Sequence, residues 1–372
     1  MLQSAHPKQS EAQASRAETK TMWSNFLLYG ANGYTGRLIA HLAAERGLRP
    51  VLAGRDRASV EQLARELNLE SRVFSLEDAA AIDEALNEVS AVLHCAGPFS
   101  RTSKPMADAC LRTKTHYLDI TGEAAVIESL AARDEEAKQN GVMLLPCVGF
   151  DVVPTDCLAA HLKRRLPSAT HLELAIQGMG RISRGTATTM VENINRGGLI
   201  RRDGKLTSVP TAWKTREIDF GRGRVTATTI PWGDVASAYY STGIPNIMVY
   251  AAIPANVRRM MKLSRAFGWL LGSKPAQNFL KKRIKSQPPG PNESERERGK
   301  SFVWGEVRDD EGRRAVSRLR GPEGYKFTAL TSLAIVGHVL AGNVSVGFQT
   351  PAKAYGADLI LEIEGVTRED VE

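Results

Sequence analysis

Cysteine is scarce: four residues in 372, Cys95, Cys110, Cys147 and Cys157, none in C-x-x-C spacing. All four lie in apolar stretches, which suits reduced core thiols and argues against a disulfide framework or a metal cluster. Neither H-E-x-x-H nor G-x-S-x-G occurs, so metalloprotease and serine-hydrolase chemistry lacks support, and no metal is expected. No apolar run reaches the roughly 18 residues a spanning helix needs. Nor does an apolar core follow the start as in a secretory signal, so a cytoplasmic location is expected. Residues 1–21 have no aromatic residue and no apolar stretch; they read as a disordered extension, with Met22 a candidate start. Glu11 and Glu18 within them weigh against a transit peptide.

Acid is missing from one place. Between Val257 and Lys285 stand nine basic residues and no acidic one, which by itself accounts for the formal net charge of +8. With Met260, Met261, Leu263, Phe267, Trp269, Leu270, Leu271, Phe279 and Leu280 interleaved, residues 254–285 form a basic amphipathic segment. Two readings stand: a helical pair packed on its own domain with solvated lysines, or a surface for a membrane or an acyl substrate. Nucleic acid is not expected as a partner, because the cluster carries no recognised reading module.

What the chain does have is glycine in a pattern. Phe26-Leu27-Leu28-Tyr29 is apolar and runs into Gly30, Gly33 and Gly36, after which Leu38-Ile39-Ala40-His41-Leu42 begins a helix. A strand, a glycine turn and a helix are what a dinucleotide requires, since the backbone must approach a pyrophosphate closely while free amides of the helix face its charge. Gly30, Asn32, Gly33, Tyr34, Thr35 and Gly36 are the candidate cofactor residues of this turn. Val51-Leu52-Ala53 reads as the second strand. The loop after it carries Arg55, whose guanidinium fork suits a 2′-phosphate, so NADP(H) is expected ahead of NAD(H). The alternative makes Asp56 the ribose ligand and leaves Arg55 solvated. Cys95, Ala96, Gly97 and Pro98 end the fourth strand and are assigned to the nicotinamide half.

Strand and helix signals alternate from Phe26 to Leu145, with a helix start expected at a Ser59-x-x-Gln62 capping box. Six strands result, a doubly wound parallel sheet. From His171 the pattern alternates with period two, implying a largely antiparallel sheet with one solvated or helix-covered face. Asp203-Gly204, Gly221-x-Gly223 and Asp310-Glu311-Gly312 read as its hairpin turns. Arg184 to Glu192 is expected to be a helix that either faces the nicotinamide or packs on the sheet, and residues 286–300 an exposed loop. The expected fold class is α/β: a Rossmann sheet interrupted by a second, mixed α/β domain. The expected division is 22–153 for dinucleotide binding, 154–325 for substrate and dimerisation, and 326–372 as C-terminal helices returning to the Rossmann domain.

The ordered motifs Gly30-x-x-Gly33-Tyr34-Thr35-Gly36-Arg37, Ala53-Gly54-Arg55, Cys95 to Phe99, Tyr117 to Glu123, Gly149 to Asp156 and Gly347 to Pro351 resemble the saccharopine dehydrogenase-like oxidoreductases. The resemblance is to the branch holding the trans-acting enoyl reductases and the saccharopine dehydrogenase-like oxidoreductase. It implies an NADP(H)-dependent reductase or dehydrogenase, with a C=C, C=O or C=N bond of a lipid-like, acyl or amino-acid-derived compound as the expected target. The G-x-x-G-x-x-G spacing departs from the lysine-pathway enzymes, so saccharopine is not carried over as substrate. No proton donor is assigned; Tyr239, Tyr240, His116, His94 and Asp151 are the candidates considered. A second reading is a non-catalytic NADP(H)-binding redox sensor recruited to membranes or partners. Peripheral membrane contact and a homodimer, through an exposed sheet edge, are the remaining expectations.

Overall fold

In the computed structural model, residues 26–178, 180–192, 197–271 and 273–371 are described; the expected extension at 1–21 and Met22 lie outside them. The first half alternates as read: β1 (Phe26–Tyr29), α1 (Tyr34–Glu45), β2 (Val51–Gly54), α2 (Arg57–Leu67), β3 (Ser71–Val73), α3 (Ala79–Leu86), β4 (Ala91–His94), α4 (Phe99–Thr113), β5 (His116–Asp119), α5 (Ala124–Ala131), α6 (Asp134–Asn140) and β6 (Met143–Leu145). Then α7 (Val153–Arg165) leads to β7 (His171–Gln177), α8 (Arg184–Glu192), β8 (Gly198–Arg202), β9 (Lys205–Val209), β10 (Thr215–Asp219), β11 (Arg224–Thr229), α9 (Asp234–Thr242) and β12 (Asn246–Ala252). The helices α10 (Ala255–Leu271), α11 (Lys274–Lys285) and α12 (Glu293–Arg298) precede β13 (Lys300–Arg308) and β14 (Arg314–Pro322). The tail comprises α13 (Gly324–Leu340), β15 (Gly347–Phe348), α14 (Pro351–Tyr355) and β16 (Thr367–Asp370).

The first sheet has the order β15-β6-β5-β4-β1-β2-β3, every pair parallel. The chain reverses direction across it between β1 and β4, where a doubly wound sheet opens its crevice. Strands β1, β2 and β4 are buried at every residue, as a sheet covered by helices on both faces requires. A seventh strand joins the six expected: β15, from the tail, pairs with β6. Asp56, not Ser59, caps α2, its carboxylate accepting from the Ser59 amide at 3.2 Å and the Ser59 hydroxyl at 2.8 Å. An ionised carboxylate at the helix start accepts both bonds and faces the positive end of the helix, so the helix begins earlier than a Ser59 cap would place it.

The second sheet runs β10-β11-β12-β7-β13-β14-β16, with β8 and β9 attached beside β12. It is mostly antiparallel, but β7 and β12 are parallel. The three expected turns all fall between paired strands, joining β8 to β9, β10 to β11 and β13 to β14. Neither face of β7 is solvated: Leu172, Leu174 and Ile176 join the main core, while Ala175 lies in a second cluster with Ile218, Phe220, Tyr250, Phe302, Trp304 and Val316. The β10–β11 hairpin curls over that second face. Arg216 on β10 pairs with Glu173 on β7 and, at 2.7 Å, with Glu306 on β13, and Asp219 reaches Arg318 on β14 at 3.2 Å. Residues 286–300 are also more than a loop, for α12 forms there behind an Asn292/Glu295 capping box. The tail does not stay with the first sheet: β16 pairs with β14 at the edge of the second.

Candidate active site

The turn after β1 hangs on the end of β2, as the amides of Gly30 and Ala31 both donate to Ala53 O, at 2.8 and 3.1 Å. Gly30 has φ +81°, and a Cβ there would sit 2.9 Å from Ala96 N, so the loops after β1 and β4 meet backbone to backbone. A Cβ on Gly36 would lie 2.2 Å from Gly30 O, which is why α1 can close on the turn only with glycine at that position. Gly33 is the N-cap of α1, and no side chain caps that helix. The first-turn amides, on Tyr34, Thr35 and Gly36, are thus left for an anion. Asn32 Oδ1 is 3.1 Å from where a Gly54 Cβ would be, which sets Asn32 over the end of β2 beside Arg55. Arg55 is exposed and makes no hydrogen bond or ion pair among the described residues, whereas Asp56 is engaged as a cap.

All eleven candidate residues stand along the carboxyl edge of the first sheet. Cys95, Ala96 and Pro98 are half-buried and Gly97 is exposed, with the Gly97–Pro98 peptide cis. Thr102 Oγ1 donates to Ala96 O at 2.6 Å, bracing this loop from α4. Burial pushes the Cys95 thiol up, and the Asp119 charge adds to it, so Cys95 contributes small bulk rather than a thiolate.

The loop after β5 does structural work that the sequence pattern does not reveal. Glu123 accepts from the amides of Phe99 and Ser100, at 2.8 and 3.2 Å, and thereby caps α4 from outside the helix. Asp119 is fully buried and takes the Tyr117 hydroxyl (2.6 Å) and the amides of Thr121 (2.9 Å) and Cys147 (3.0 Å), tying the loops after β5 and β6 together. Burial raises its carboxyl to about 6 against the pull of those three donors.

Each candidate proton donor now has a place. His94 is wholly buried among Tyr29, Phe99 and Tyr117, makes no hydrogen bond, and is lowered by burial to about 3, hence neutral. His116 starts β5, at the edge opposite the crevice, and accepts from Met143 N at 3.2 Å. Tyr240 donates to Glu128 at 2.7 Å while the Arg201 guanidinium lies 4.2 Å over the Tyr239 ring, a packing cluster between α9 and α5. Asp151 alone belongs to the crevice. Its Oδ2 is 2.8 Å from a Gly122 Cβ position, its carboxylate has no hydrogen bond among the described residues, and burial lifts it to about 6.

Two further groups crowd the glycine turn from the second half of the chain. The Tyr325 hydroxyl accepts from Ser183 N at 2.6 Å and lies 3.2 Å from Thr186 Oγ1, and its ring meets Tyr34 edge-on at 5.0 Å. This brings the start of α8 beside the glycine turn. The Tyr34 hydroxyl donates to Pro291 O at 2.5 Å, Arg296 lies 3.2 Å from the same hydroxyl, and a Cβ on Gly290 would strike the Tyr34 ring at 2.6 Å. The Gly321-Pro322 step ahead of the Glu323 cap was the available signal for Tyr325; nothing local marks Arg296.

Residues 26–145 match the family model described as the saccharopine dehydrogenase NADP binding domain. The chain is 34% identical over 150 residues to a trans-acting enoyl reductase of Mycobacterium leprae, covering 38% of this chain and 36% of that protein. It is 29% identical over 152 residues to a saccharopine dehydrogenase-like oxidoreductase of Mus musculus, covering 36% and 35%. The aligned stretches therefore span about a third of these relatives' length. Apo saccharopine dehydrogenase (L-Glu forming) from Saccharomyces cerevisiae superposes with a TM-score of 0.64 at 12% identity, over 94% of this chain and 100% of that one, which shows a shared fold. The matched domain makes NADP(H) the cofactor, and the open helix start, the glycine cradle and the unpaired Arg55 fit it. Residues 26–145 thus carry a domain of the saccharopine dehydrogenase NADP-binding type, and the chain as a whole shares the saccharopine dehydrogenase fold.

Proposed function

We propose that the chain is an NADP(H)-dependent reductase acting on a C=C, C=O or C=N bond of a lipid-like, acyl or amino-acid-derived substrate. The observation that carries this is the pairing of a helix start with no side-chain cap, at Gly33, with an unpaired Arg55 whose neighbour Asp56 is already engaged. Gly30 to Gly36 would hold the pyrophosphate, with Asn32, Tyr34 and Thr35 lining it, and Arg55 the 2′-phosphate. Cys95, Ala96, Gly97 and Pro98 would border the nicotinamide. The bound nicotinamide supplies the hydride.

Asp151 is the proton donor in this reading, being the crevice carboxylate without a hydrogen-bond partner. Raised to about 6, it is protonated below that pH and loses its proton above it. Reduction should therefore be fastest in mild acid and fall as pH rises through about 6, and Asp151→Asn should flatten the profile while leaving nucleotide binding intact. A profile unchanged by the substitution would remove Asp151 from the chemistry. The reading as a whole is tested by titrating NADPH and NADH against the wild type and Arg55→Ala, followed by turnover with enoyl thioesters and imino acids. NADPH preferred and the preference erased by the substitution is the expected result. Binding of neither nucleotide would overturn the reading, and binding without turnover across the panel would favour the redox-sensing alternative.

In the same reading the protein is cytoplasmic, touches membranes peripherally and forms a homodimer. The charge of the α10–α11 segment supports the membrane contact, and β16 at the edge of the second sheet supports the dimer. Among the described residues no helix is long and apolar enough to cross a membrane.

A further inference from the structure

Among the described residues, the contacts that fasten the α10–α11 pair lie along one side. Arg265 donates to Thr211 O and Ala212 O, both at 2.8 Å, Arg258 donates to Ile253 O at 3.1 Å, and Met261 packs against the core. At about 100° per residue, Met260 and Leu263 fall on the side of α10 turned away from that seam. They are 64% and 67% exposed. On α11, Lys281 is bonded inward to Glu192 of α8 at 2.7 Å, so Phe279, two residues earlier, points outward and is 64% exposed. Single exposed apolar residues are ordinary, but here three large ones stand on two consecutive helices.

The charge around them narrows what covers that surface. Arg259, Lys262, Lys282, Arg283 and Lys285 are exposed and form no ion pair among the described residues, and no acid lies between Val257 and Lys285. A second copy docking face to face would bring an identical cationic surface against this one, which like-charge repulsion opposes. Nucleic acid would use the cations and leave Met260, Leu263 and Phe279 in water. A phospholipid surface bearing negative headgroups uses both.

We propose that the α10–α11 hairpin docks on an anionic phospholipid surface, Met260, Leu263 and Phe279 entering the headgroup layer while Arg259, Lys262, Lys282, Arg283 and Lys285 meet the phosphates. The proposal rests on the peripheral-membrane reading above and gives it a face and a lipid class. The hairpin leaves by residues 286–291, which are bonded at the crevice: Gln287 O and Pro289 O accept from Arg184, at 2.6 and 3.0 Å, and Pro291 O accepts from Tyr34.

The test is sedimentation of the full chain with vesicles of phosphatidylcholine alone or mixed with phosphatidylserine, over a range of salt. Binding is expected to the mixed vesicles only and to weaken as salt rises. The combined variant Lys282→Glu, Arg283→Glu and Lys285→Glu should lose at least on the order of a hundredfold, from about fivefold per cation. Met260→Glu, Leu263→Glu and Phe279→Glu together should also abolish binding. NADPH affinity should be unchanged in both variants, which shows that each is folded. Wild-type binding with neither variant affected would overturn the assignment of this face while sparing the peripheral-membrane reading. No binding to any vesicle would overturn both. A dimer dissociated by the apolar variant would make the face a subunit interface, and duplex DNA binding that only the charge variant loses would make it a nucleic-acid surface; either result overturns the proposal.

Discussion

Asp56 engages its carboxylate with Ser59 while Arg55 has no hydrogen bond or ion pair among the described residues, which supports the arginine reading of the loop after β2. That choice was not legible in Gly54-Arg55-Asp56-Arg57, because a capping aspartate and a ribose-binding aspartate look alike until the helix start is placed. The glycines were legible, since their spacing reports a backbone demand that glycine meets. Gly36→Ala would press a Cβ against Gly30 O, a backbone atom that cannot step aside. The expected outcome is a lower melting temperature together with loss of NADPH binding by titration. Gly290→Val is the counterpart from the second half of the chain, where no motif gave warning. Its side chain would collide with the Tyr34 ring, costing about 1–3 kcal/mol in denaturant unfolding and weakening NADPH binding. His94 carries the opposite expectation. With no hydrogen bond to lose and aromatic rings on several sides, His94→Phe should preserve fold and nucleotide affinity; lost turnover at full affinity would restore it as a catalytic candidate.

Helix α4 shows how an element depends on residues outside it. Its start sits at the nicotinamide loop, and its first amides are satisfied by Glu123, 24 residues after Phe99. Glu123→Ala should lower stability by about 1–2 kcal/mol, the usual worth of a helix cap, and should weaken NADPH more than a cap on a remote helix would, because the Cys95–Pro98 loop leads directly into α4. Denaturant unfolding and nucleotide titration, set beside Thr350→Ala in the α14 cap at the β15 edge of the first sheet, would show the contrast. Among the strands, β1, β2 and β4 declared themselves by unbroken apolar runs, and the hairpin turns by their glycines. Strand β7 was legible in part: Leu172, Leu174 and Ile176 alternate with Glu173 and Ala175, the pattern of a sheet with one solvated or helix-covered face, and α7 covers one face. The other face is covered by a hairpin more than 40 residues on, where Glu173 meets Arg216, a partner that no local window contains.

At the scale of the molecule, Arg216, Glu173 and Glu306 clamp the curled hairpin to the sheet, with the two carboxylate side chains 9% and 5% exposed. Arg216→Ala would remove the closest partner of both and leave them to Arg308 and Arg314, so a loss of about 1–3 kcal/mol is expected, read as a shifted denaturant midpoint. Truncating all three to apolar residues of similar size should restore most of it. The division into two sheets was legible because solid and alternating patterns need different surroundings. The path of the tail was not, as β15 and β16 are two and four residues long and carry no periodicity. Yet β15 completes the first sheet, α13 packs on α1 and β4, and β16 then closes the edge of the second. A ribosome must therefore pass residue 348 before the first sheet has its last strand, and residue 370 before the second has its own. The nucleotide site, encoded within the first 100 residues, waits on the final 50 for its edge, and a chain released early would expose β6 to any other strand it meets.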